Sequence, residues 1–417
     1  MSRLKRYAFA GASGRMLSMY ARPMREEFAD VAELVGVYDV NPGRSEYVGR
    51  ECGIPVYHDF DEMIAGAKPD VVLVTTVDAY HSDYIVRSLE HGCDVITEKP
   101  MTIDAERCKA IIDAEKRTGR KVTVTFNYRY APFSTKIKRL IADGAIGDVF
   151  SVHFEWLLDR NMDVNAHGTS YYRRWNARMA KSGGLLVHKS THHFDLVNWW
   201  IGQKPVKVSA FGRLNLYGSS GSAKYANGMR GKNCRECEFA EKCAFRYRLT
   251  DFERDFYAEN EKYDGYVKDG CVYADDIDIY DTMAVNVSYD GGAMMSYSLN
   301  STCPYEGWRI SINGSKGRLE AYMPETGPDF DPSCDVIRIF DLENNVAEYH
   351  VTKSRGGHGG GDERLRRMLF LKDVPDPLGH AAGTKAGAES IMVGAAANVS
   401  IKEGRIVDIW ELLGENV

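Results

Sequence analysis

Arg6-Tyr7-Ala8-Phe9-Ala10-Gly11-Ala12-Ser13-Gly14-Arg15-Met16 runs from a short apolar stretch through a glycine turn into a helical pattern. Met16, Leu17, Tyr20 and Met24 are spaced along one face of that helix. A strand that enters a helix through glycine presents backbone N–H groups at the helix N-terminus, where phosphate binds. Only Gly11 fits the glycine spacing of the dinucleotide fingerprint; Ser13 and Met16 replace the other two glycines, and Gly14 lies between them. Asp39 strengthens the reading, because it ends a second β-like run, residues 32–38, where a carboxylate would bind adenosine ribose hydroxyls. An aspartate there repels a 2′-phosphate and favours NAD, while Arg44 nearby leaves NADP open. Gly11, Ala12, Ser13, Gly14, Arg15, Met16, Asp39 and Arg44 are therefore candidate cofactor residues.

The alternation continues outward. Residues 71–77 are apolar and β-branched, as in a strand buried on both faces of a parallel sheet. A helical pattern over 80–90 stops at Gly92, and residues 94–97 form the next strand. Thr102 is expected to cap a helix with Asp104 and Glu106 in its first turn, Lys116 and Arg117 in its last, and Gly119 as its stop. Residues 121–126 read as another strand. Residues 1–127 are thus predicted to form an α/β Rossmann domain, an open, doubly wound parallel sheet. From residue 149 onward, strand-like runs at 149–156, 206–214, 284–289, 293–299 and 336–340 are separated by turn residues, and a late helix spans about 384–402. Residues 128–417 are predicted to be an α+β domain with a large, mostly antiparallel open sheet.

Composition bounds the function. At 417 residues, 44% hydrophobic and 27% charged, the chain is globular and long enough for two domains. A net charge of −6 gives no electrostatic reason to expect nucleic acid or an anionic membrane as partner. The apolar run before Gly11 is too short for a signal core or membrane span, so a cytoplasmic protein is expected. Nine cysteines, an odd number spread along the chain, argue against a secreted disulfide framework. A large open sheet commonly pairs with another subunit, so a homo-oligomer is expected.

Val71-Val-Leu-Val-Thr75-Thr76-Val-Asp-Ala-Tyr-His81, His91-Gly-Cys-Asp-Val-Ile-Thr-Glu98-Lys99-Pro100 and Thr125-Phe-Asn127-Tyr-Arg129-Tyr follow one another. Together they resemble the Gfo/Idh/MocA family, the oxidoreductases that include glucose–fructose oxidoreductase and inositol dehydrogenase. The resemblance implies that Thr75, Thr76, His81, Glu98, Lys99 and Asn127 border the cofactor, and that Lys99 faces both nicotinamide and substrate. A second family motif, Gly-Gly-x-x-x-x-Asp-x-Gly-x-His-x-x-Asp, aligns with Gly183-Gly184-Leu-Leu-Val-His188-Lys189-Ser190-Thr191-His192-His193-Phe194-Asp195. His192 and Asp195 keep their places; His188 stands for the usual aspartate and Ser190 for the glycine.

Oxidising a sugar hydroxyl requires a base for the O–H proton while hydride leaves the carbon, and an imidazole titrates in the right range. His192 is the candidate base, His188 its alternate or orienting partner, and Lys99 the cation that stabilises developing alkoxide. His193 reads as a packed histidine and Asp195 as a residue that caps or anchors the apolar helix that follows, residues 196–201. Tyr171-Tyr172-Arg173-Arg174-Trp175 combines aromatic faces with guanidinium donors, so Tyr172, Arg173 and Trp175 are candidate substrate contacts. Gly356-Gly357-His358-Gly359-Gly360-Gly361-Asp362 is too glycine-rich for a strand or helix. Resembling proteins carry a similar loop near the active site, which makes His358 a further substrate candidate.

Cys234-Arg-Glu-Cys237 is followed by Cys243 and then Cys271, in a polar segment at about residues 215–275 with little apolar periodicity. Four thiolates in a cytosolic chain suggest a metal site, either zinc or an iron–sulfur cluster; unpaired thiols in an ordinarily packed lobe are the alternative. The leading function is an NAD(P)-dependent oxidoreductase of a sugar, polyol or sugar derivative. The runner-up is an NAD-dependent glycoside hydrolase or lyase of the same fold that oxidises a ring carbon transiently and eliminates the glycosidic bond. A non-catalytic sugar-binding or regulatory protein on the same scaffold is the third, and Lys99 with His192 argues against it.

Overall fold

A computed structural model describes residues 3–160, 167–354 and 356–414. They form two compact units. The first comprises Met1–Phe126 with two later segments, Leu249–Lys268 and Asp362–Ala388. The second comprises Asn127–Arg248, Asp269–Gly361 and Glu389–Val417. A single division at residue 127 does not anticipate the two returning segments, which complete the first unit's core. Phe370 meets the ring of Tyr7 edge-on at 5.5 Å and that of Phe28 at 5.2 Å, and the Ala382 carbonyl accepts the Val124 N–H at 2.9 Å.

Six strands build the first unit: β1 (Lys5–Ala10), β2 (Ala32–Tyr38), β3 (Val56–Tyr57), β4 (Val71–Val74), β5 (Asp94–Thr97) and β6 (Val122–Val124). Their order is β3-β2-β1-β4-β5-β6 and every pairing is parallel. This is the doubly wound arrangement, in which the strand order reverses beside β1 and leaves a crevice at the carboxyl ends of β1 and β4. Gly11 stands there with φ +104°, and a Cβ on it would lie 2.7 Å from the Thr75 carbonyl carbon and the Thr76 nitrogen. No larger residue permits that approach. Ser13 then caps the helix, its Oγ accepting the Met16 N–H at 3.0 Å. The helix continues through Gly14–Met16, a π turn at Leu17–Ala21, and Arg22–Glu26. The helix Ala105–Thr118 is capped by Asp104, which accepts the Arg107 N–H at 3.0 Å, and not by Thr102, which is buried ahead of it.

Nine strands form the second unit's sheet: β7 (Val149–Asp159), β8 (Pro205–Arg213), β9 (Thr282–Tyr289), β10 (Met294–Cys303), β11 (Gly307–Gly314), β12 (Gly317–Pro324), β13 (Cys334–Asp341), β14 (Val346–Thr352) and β15 (Val407–Asp408). The order is β14-β13-β12-β11-β7-β10-β9-β8-β15; β7 and β10 pair in parallel and all other neighbours antiparallel. The period of two puts Val152, Phe154, Trp156 and Leu158 of β7 on one face, all buried. The helix Thr191–Ile201 packs on that face, with Phe194 edge-on to Tyr297 at 4.9 Å. Phe211 and Met294 are exposed on the other face.

Asp195 does not cap this helix, as the sequence suggests, but lies within it. Its oxygens accept from Arg129 Nε at 2.7 Å and Nη2 at 2.6 Å, deep in the second unit. Two parallel charge-assisted bonds compensate the desolvation of both ions. Asp195→Ala leaves a buried guanidinium without its partner and should cost about 3–5 kcal/mol, read as a lower denaturant midpoint in urea unfolding.

Candidate active site

The first unit builds a candidate cofactor cradle from the turn after β1 and the end of β2. Asp39 Oδ2 accepts the Ala12 N–H at 2.6 Å, and Oδ1 accepts the Asn41 N–H at 2.7 Å and Arg44 Nη2 at 3.1 Å. Burial pushes the Asp39 carboxyl up, and Arg44 with the two N–H bonds opposes it. Thr75 donates its hydroxyl to the Gly11 carbonyl at 2.7 Å, which ties β4 to the cradle. His81 is buried with Nδ1 at 2.8 Å from the Pro100 carbonyl and Nε2 at 3.2 Å from that of Thr76. It therefore joins the turns that follow β4 and β5. Burial pushes this imidazole toward its neutral form, in which one nitrogen carries the proton. The glycine that a Cβ would block, the carboxylate ending β2 and the capped helix N-terminus fit a dinucleotide.

Glu98-Lys99-Pro100 follows β5 directly. Arg15 extends from the cradle helix to bond Glu98 Oε1 at 3.1 Å and to grip both oxygens of Asp362 at 2.8 and 3.1 Å. Tyr20 donates to the same Glu98 oxygen at 2.7 Å. Burial alone would raise the Glu98 carboxyl; Arg15, Tyr20 and Lys99 outweigh it and hold the group below its ordinary range. Glu98 is thus an anionic post that fixes the backbone leading into the half-buried Lys99. Arg15 serves this post, and sequence reasoning missed its other partner, Asp362, because the two lie far apart in the chain.

The second unit gathers imidazoles. His192 is buried and stacks on Tyr128 at 4.2 Å with an interplanar angle of 14°. His358 lies 5.4 Å from the Tyr128 ring and 6.1 Å from that of His192. His188 is half-buried, with Trp175 edge-on at 5.3 Å, Tyr171 at 5.6 Å and Nε2 at 3.1 Å from Asn176 Nδ2. His193 is packed, as the sequence suggests: it stacks on Trp156 at 4.2 Å and bonds the Tyr297 hydroxyl at 2.7 Å. Asn127 is buried, and its carbonyl faces Gly361 so closely that a Cβ there would come within 2.3 Å. His358, Gly359 and Gly360 have φ of 53°, 61° and 80°. The glycine-rich stretch is therefore a left-handed turn that leads straight into the helix ending at Phe370, and not a free loop.

Lys189, overlooked in the sequence because it stands between two histidines, is buried in the same cluster. Its Nζ donates to the Tyr128 hydroxyl at 3.0 Å and sits 4.5 Å from the Trp156 ring. Burial pushes this ammonium down, opposed by the charges of Glu306 and Glu325. A cavity of about 420 Å³ within this unit is lined by Tyr128, His167, Lys189, Glu325, Lys353 and His358. Glu306 holds His167 Nδ1 at 2.6 Å, and the Tyr171 hydroxyl lies 2.8 Å from its Nε2.

Two substrate candidates belong elsewhere. Tyr172 is buried, stacked on Tyr217 at 3.8 Å, with its hydroxyl on the Tyr280 carbonyl at 3.0 Å and Ser301 Oγ at 2.6 Å. Arg173 is buried in the cysteine-bearing lobe, donating to Cys234 Sγ at 3.4 Å, to the Gly270 carbonyl at 3.1 Å and to the Phe245 carbonyl. The Tyr172 hydroxyl and both Arg173 Nη atoms are thereby committed to packing within the second unit. The same guanidinium bears on the metal expectation. Among the described residues no group of three or more His, Cys, Asp or Glu side chains could hold a metal ion, so Cys234, Cys237, Cys243 and Cys271 form no such site. Cys243 does neighbour Cys234 and Cys271. Arg173 stands against that group as a fixed cation and, with its carbonyl bonds, ties the lobe together.

Residues 5–126 match the family model described as the NAD-binding Rossmann fold of the Gfo/Idh/MocA oxidoreductases, and 138–409 match that of their C-terminal alpha/beta domain. The protein YteT of Bacillus subtilis (strain 168) is 40% identical over 428 residues, covering 98% of this chain and 99% of its own. The inositol 2-dehydrogenase of Rhizobium meliloti (strain 1021) is 32% identical over 205 residues, 49% of this chain and 57% of that one. Among solved structures, the Bordetella pertussis WlbA dehydrogenase in complex with NADH and UDP-GlcNAcA superposes with a TM-score of 0.64 at 18% identity, covering 97% of this chain and 99% of that one. Among the described residues no helix is long and apolar enough to cross a membrane.

The cavity carries one pH-dependent signature. Burial, then the neighbouring charge of Glu306, pushes the Glu325 carboxyl from 4.5 up to about 7. Between those values the folded protein keeps a proton that the unfolded chain has released, so stability falls as pH rises through the window. Glu325→Gln should flatten that fall, measured as the change in Tm between about pH 5 and about pH 7.5.

Proposed function

The chain belongs to the Gfo/Idh/MocA family of oxidoreductases, and on that premise we propose that it oxidises a ring carbinol of a sugar, polyol or sugar derivative with NAD as the hydride acceptor. What supports this reading is the intact cradle with its Glu98-Lys99-Pro100 turn in the first unit and, within the second, a buried histidine cluster. When bound, the nicotinamide supplies the hydride-accepting carbon. Gly11 through Met16 hold the diphosphate and Asp39 the adenosine ribose. Lys99 donates to the reacting oxygen and stabilises the negative charge that grows on it. His192 accepts the hydroxyl proton, with Tyr128 fixing its ring plane by stacking. His188 orients substrate or shares the proton, and Trp175 beside it offers an apolar face to a sugar ring. The cavity that Lys189 and His358 line takes the remainder of the substrate.

A second reading, cleavage of a glycosidic bond by transient ring oxidation and elimination, draws on Glu325. A carboxyl pushed up to about 7 keeps a share of protonated acid near neutrality, and here it lines that same cavity. Such an acid can give a proton to a departing alcohol.

Mixing the protein with NAD and a panel of sugars and aryl glycosides separates the two. Net NADH supports the dehydrogenase, and released phenol without NADH supports the lyase. On the true substrate, Lys99→Met should lower kcat about two to three orders of magnitude. His192→Ala should lower it on the order of a hundredfold with NAD affinity nearly unchanged. Near-native turnover by both variants would displace the chemistry from these residues.

A further inference from the structure

The cysteine-bearing insertion sends Leu249–Lys268 to the first unit. Thr250 and Glu253 form a reciprocal capping box that starts its short helices. Phe252 and Phe256 pack their rings on Tyr47 at 6.1 and 5.1 Å, which anchors the segment on the helix after β2. Three polar contacts then fall on residues of the nucleotide cradle. The Tyr257 hydroxyl accepts the Gly14 N–H at 2.9 Å. The Asn260 carbonyl accepts Asn41 Nδ2 at 2.8 Å. Asp264 Oδ2 accepts Arg44 Nη2 at 2.6 Å, from the same nitrogen that reaches Asp39 Oδ1 at 3.1 Å. The Tyr266 ring flanks the guanidinium, its centroid 5.6 Å from Cζ. Arg44 is 8% exposed, and its Nε is buried with no hydrogen-bond partner among the described residues.

Resting on the reading that the first unit binds a nicotinamide dinucleotide, we propose that Leu249–Lys268 is part of that site and that Asp264 selects NAD against NADP. A basic residue just past the second strand is the group that accommodates a 2′-phosphate. Here that residue is held between two carboxylates, which leaves one formal negative charge in excess. The excess repels a dianionic phosphate and leaves a neutral ribose hydroxyl unaffected. The guanidinium is also locked in place, while its unsatisfied Nε remains a donor suited to a hydroxyl. Asp39 alone would balance Arg44; the insertion tips the balance. Tyr257 acts differently, since its hydroxyl occupies a first-turn N–H that a diphosphate oxygen would take. The diphosphate is common to both dinucleotides, so Tyr257 cannot discriminate between them.

Isothermal titration of NAD and of NADP into the wild type, Asp264→Asn and Tyr257→Phe tests this without turnover. The wild type should bind NAD more tightly. Asp264→Asn should narrow the NADP-to-NAD ratio by about tenfold or more, chiefly by tightening NADP. Tyr257→Phe should shift both dinucleotides by the same factor. Thermal melts check folding, and Asp264→Ser repeats the test if Asp264→Asn melts early. An unchanged ratio in the Asp264 variants, or a wild type that prefers NADP, overturns the proposal while leaving the nucleotide reading intact. A wild type that binds neither overturns that reading and this proposal with it.

Discussion

The close approach of β1 and β4 at Gly11 is the constraint on which the first unit's chemistry depends. A Cβ at that point would sit 2.7 Å from the Thr75–Thr76 backbone, so the crevice exists only because nothing projects there. With the two strand ends pressed together, the Thr75 hydroxyl reaches the Gly11 carbonyl and the Ala12 N–H reaches Asp39. His81 extends the same tie to Pro100, and through it to the turn that carries Lys99. One missing side chain thereby sets the relative places of the Gly11–Gly14 turn, the Asp39 carboxylate and the turn that carries Lys99.

The second unit solves a different problem, the storage of charge and imidazole in a dry interior. Arg129 and Asp195 neutralise each other bidentately. Lys189 rests on aromatic faces and a phenol, an arrangement that supports a cation without a direct carboxylate bond. His193 is consumed by packing, whereas His192 and His358 share a single aromatic platform in Tyr128. The contrast explains why adjacent histidines in one motif have different fates: helical geometry turns them about a hundred degrees apart.

Much of this was legible. Alternating strand and helix patterns, the Gly11 turn and Asp39 were enough for the Rossmann half, since each is a local signal. The resemblance at Glu98-Lys99-Pro100 and around His192 carried the family. What stayed hidden depends on long-range pairing. Asp362 on Arg15, Asp264 on Arg44 and Glu325 beside Lys189 join residues far apart in sequence, and no periodicity announces such partners. The cysteines misled for a related reason: their spacing is a local pattern, but the Arg173 guanidinium that occupies their surroundings arrives from another stretch. Tyr172 and Arg173 misled because aromatic and guanidinium groups serve a buried joint as well as a sugar.

The return of Asp362–Ala388 to the first unit makes that unit discontinuous in the chain. A ribosome that has made the first 126 residues has made every strand of its sheet, yet neither Asp362 to meet Arg15 nor Phe370 to cover Tyr7. The Rossmann half must wait, partly assembled, until most of the second unit has emerged, with its last apolar contacts among the most distant in sequence. The two halves are thus separate in architecture but bound together in synthesis, and a cut between them in the gene would not yield two finished proteins.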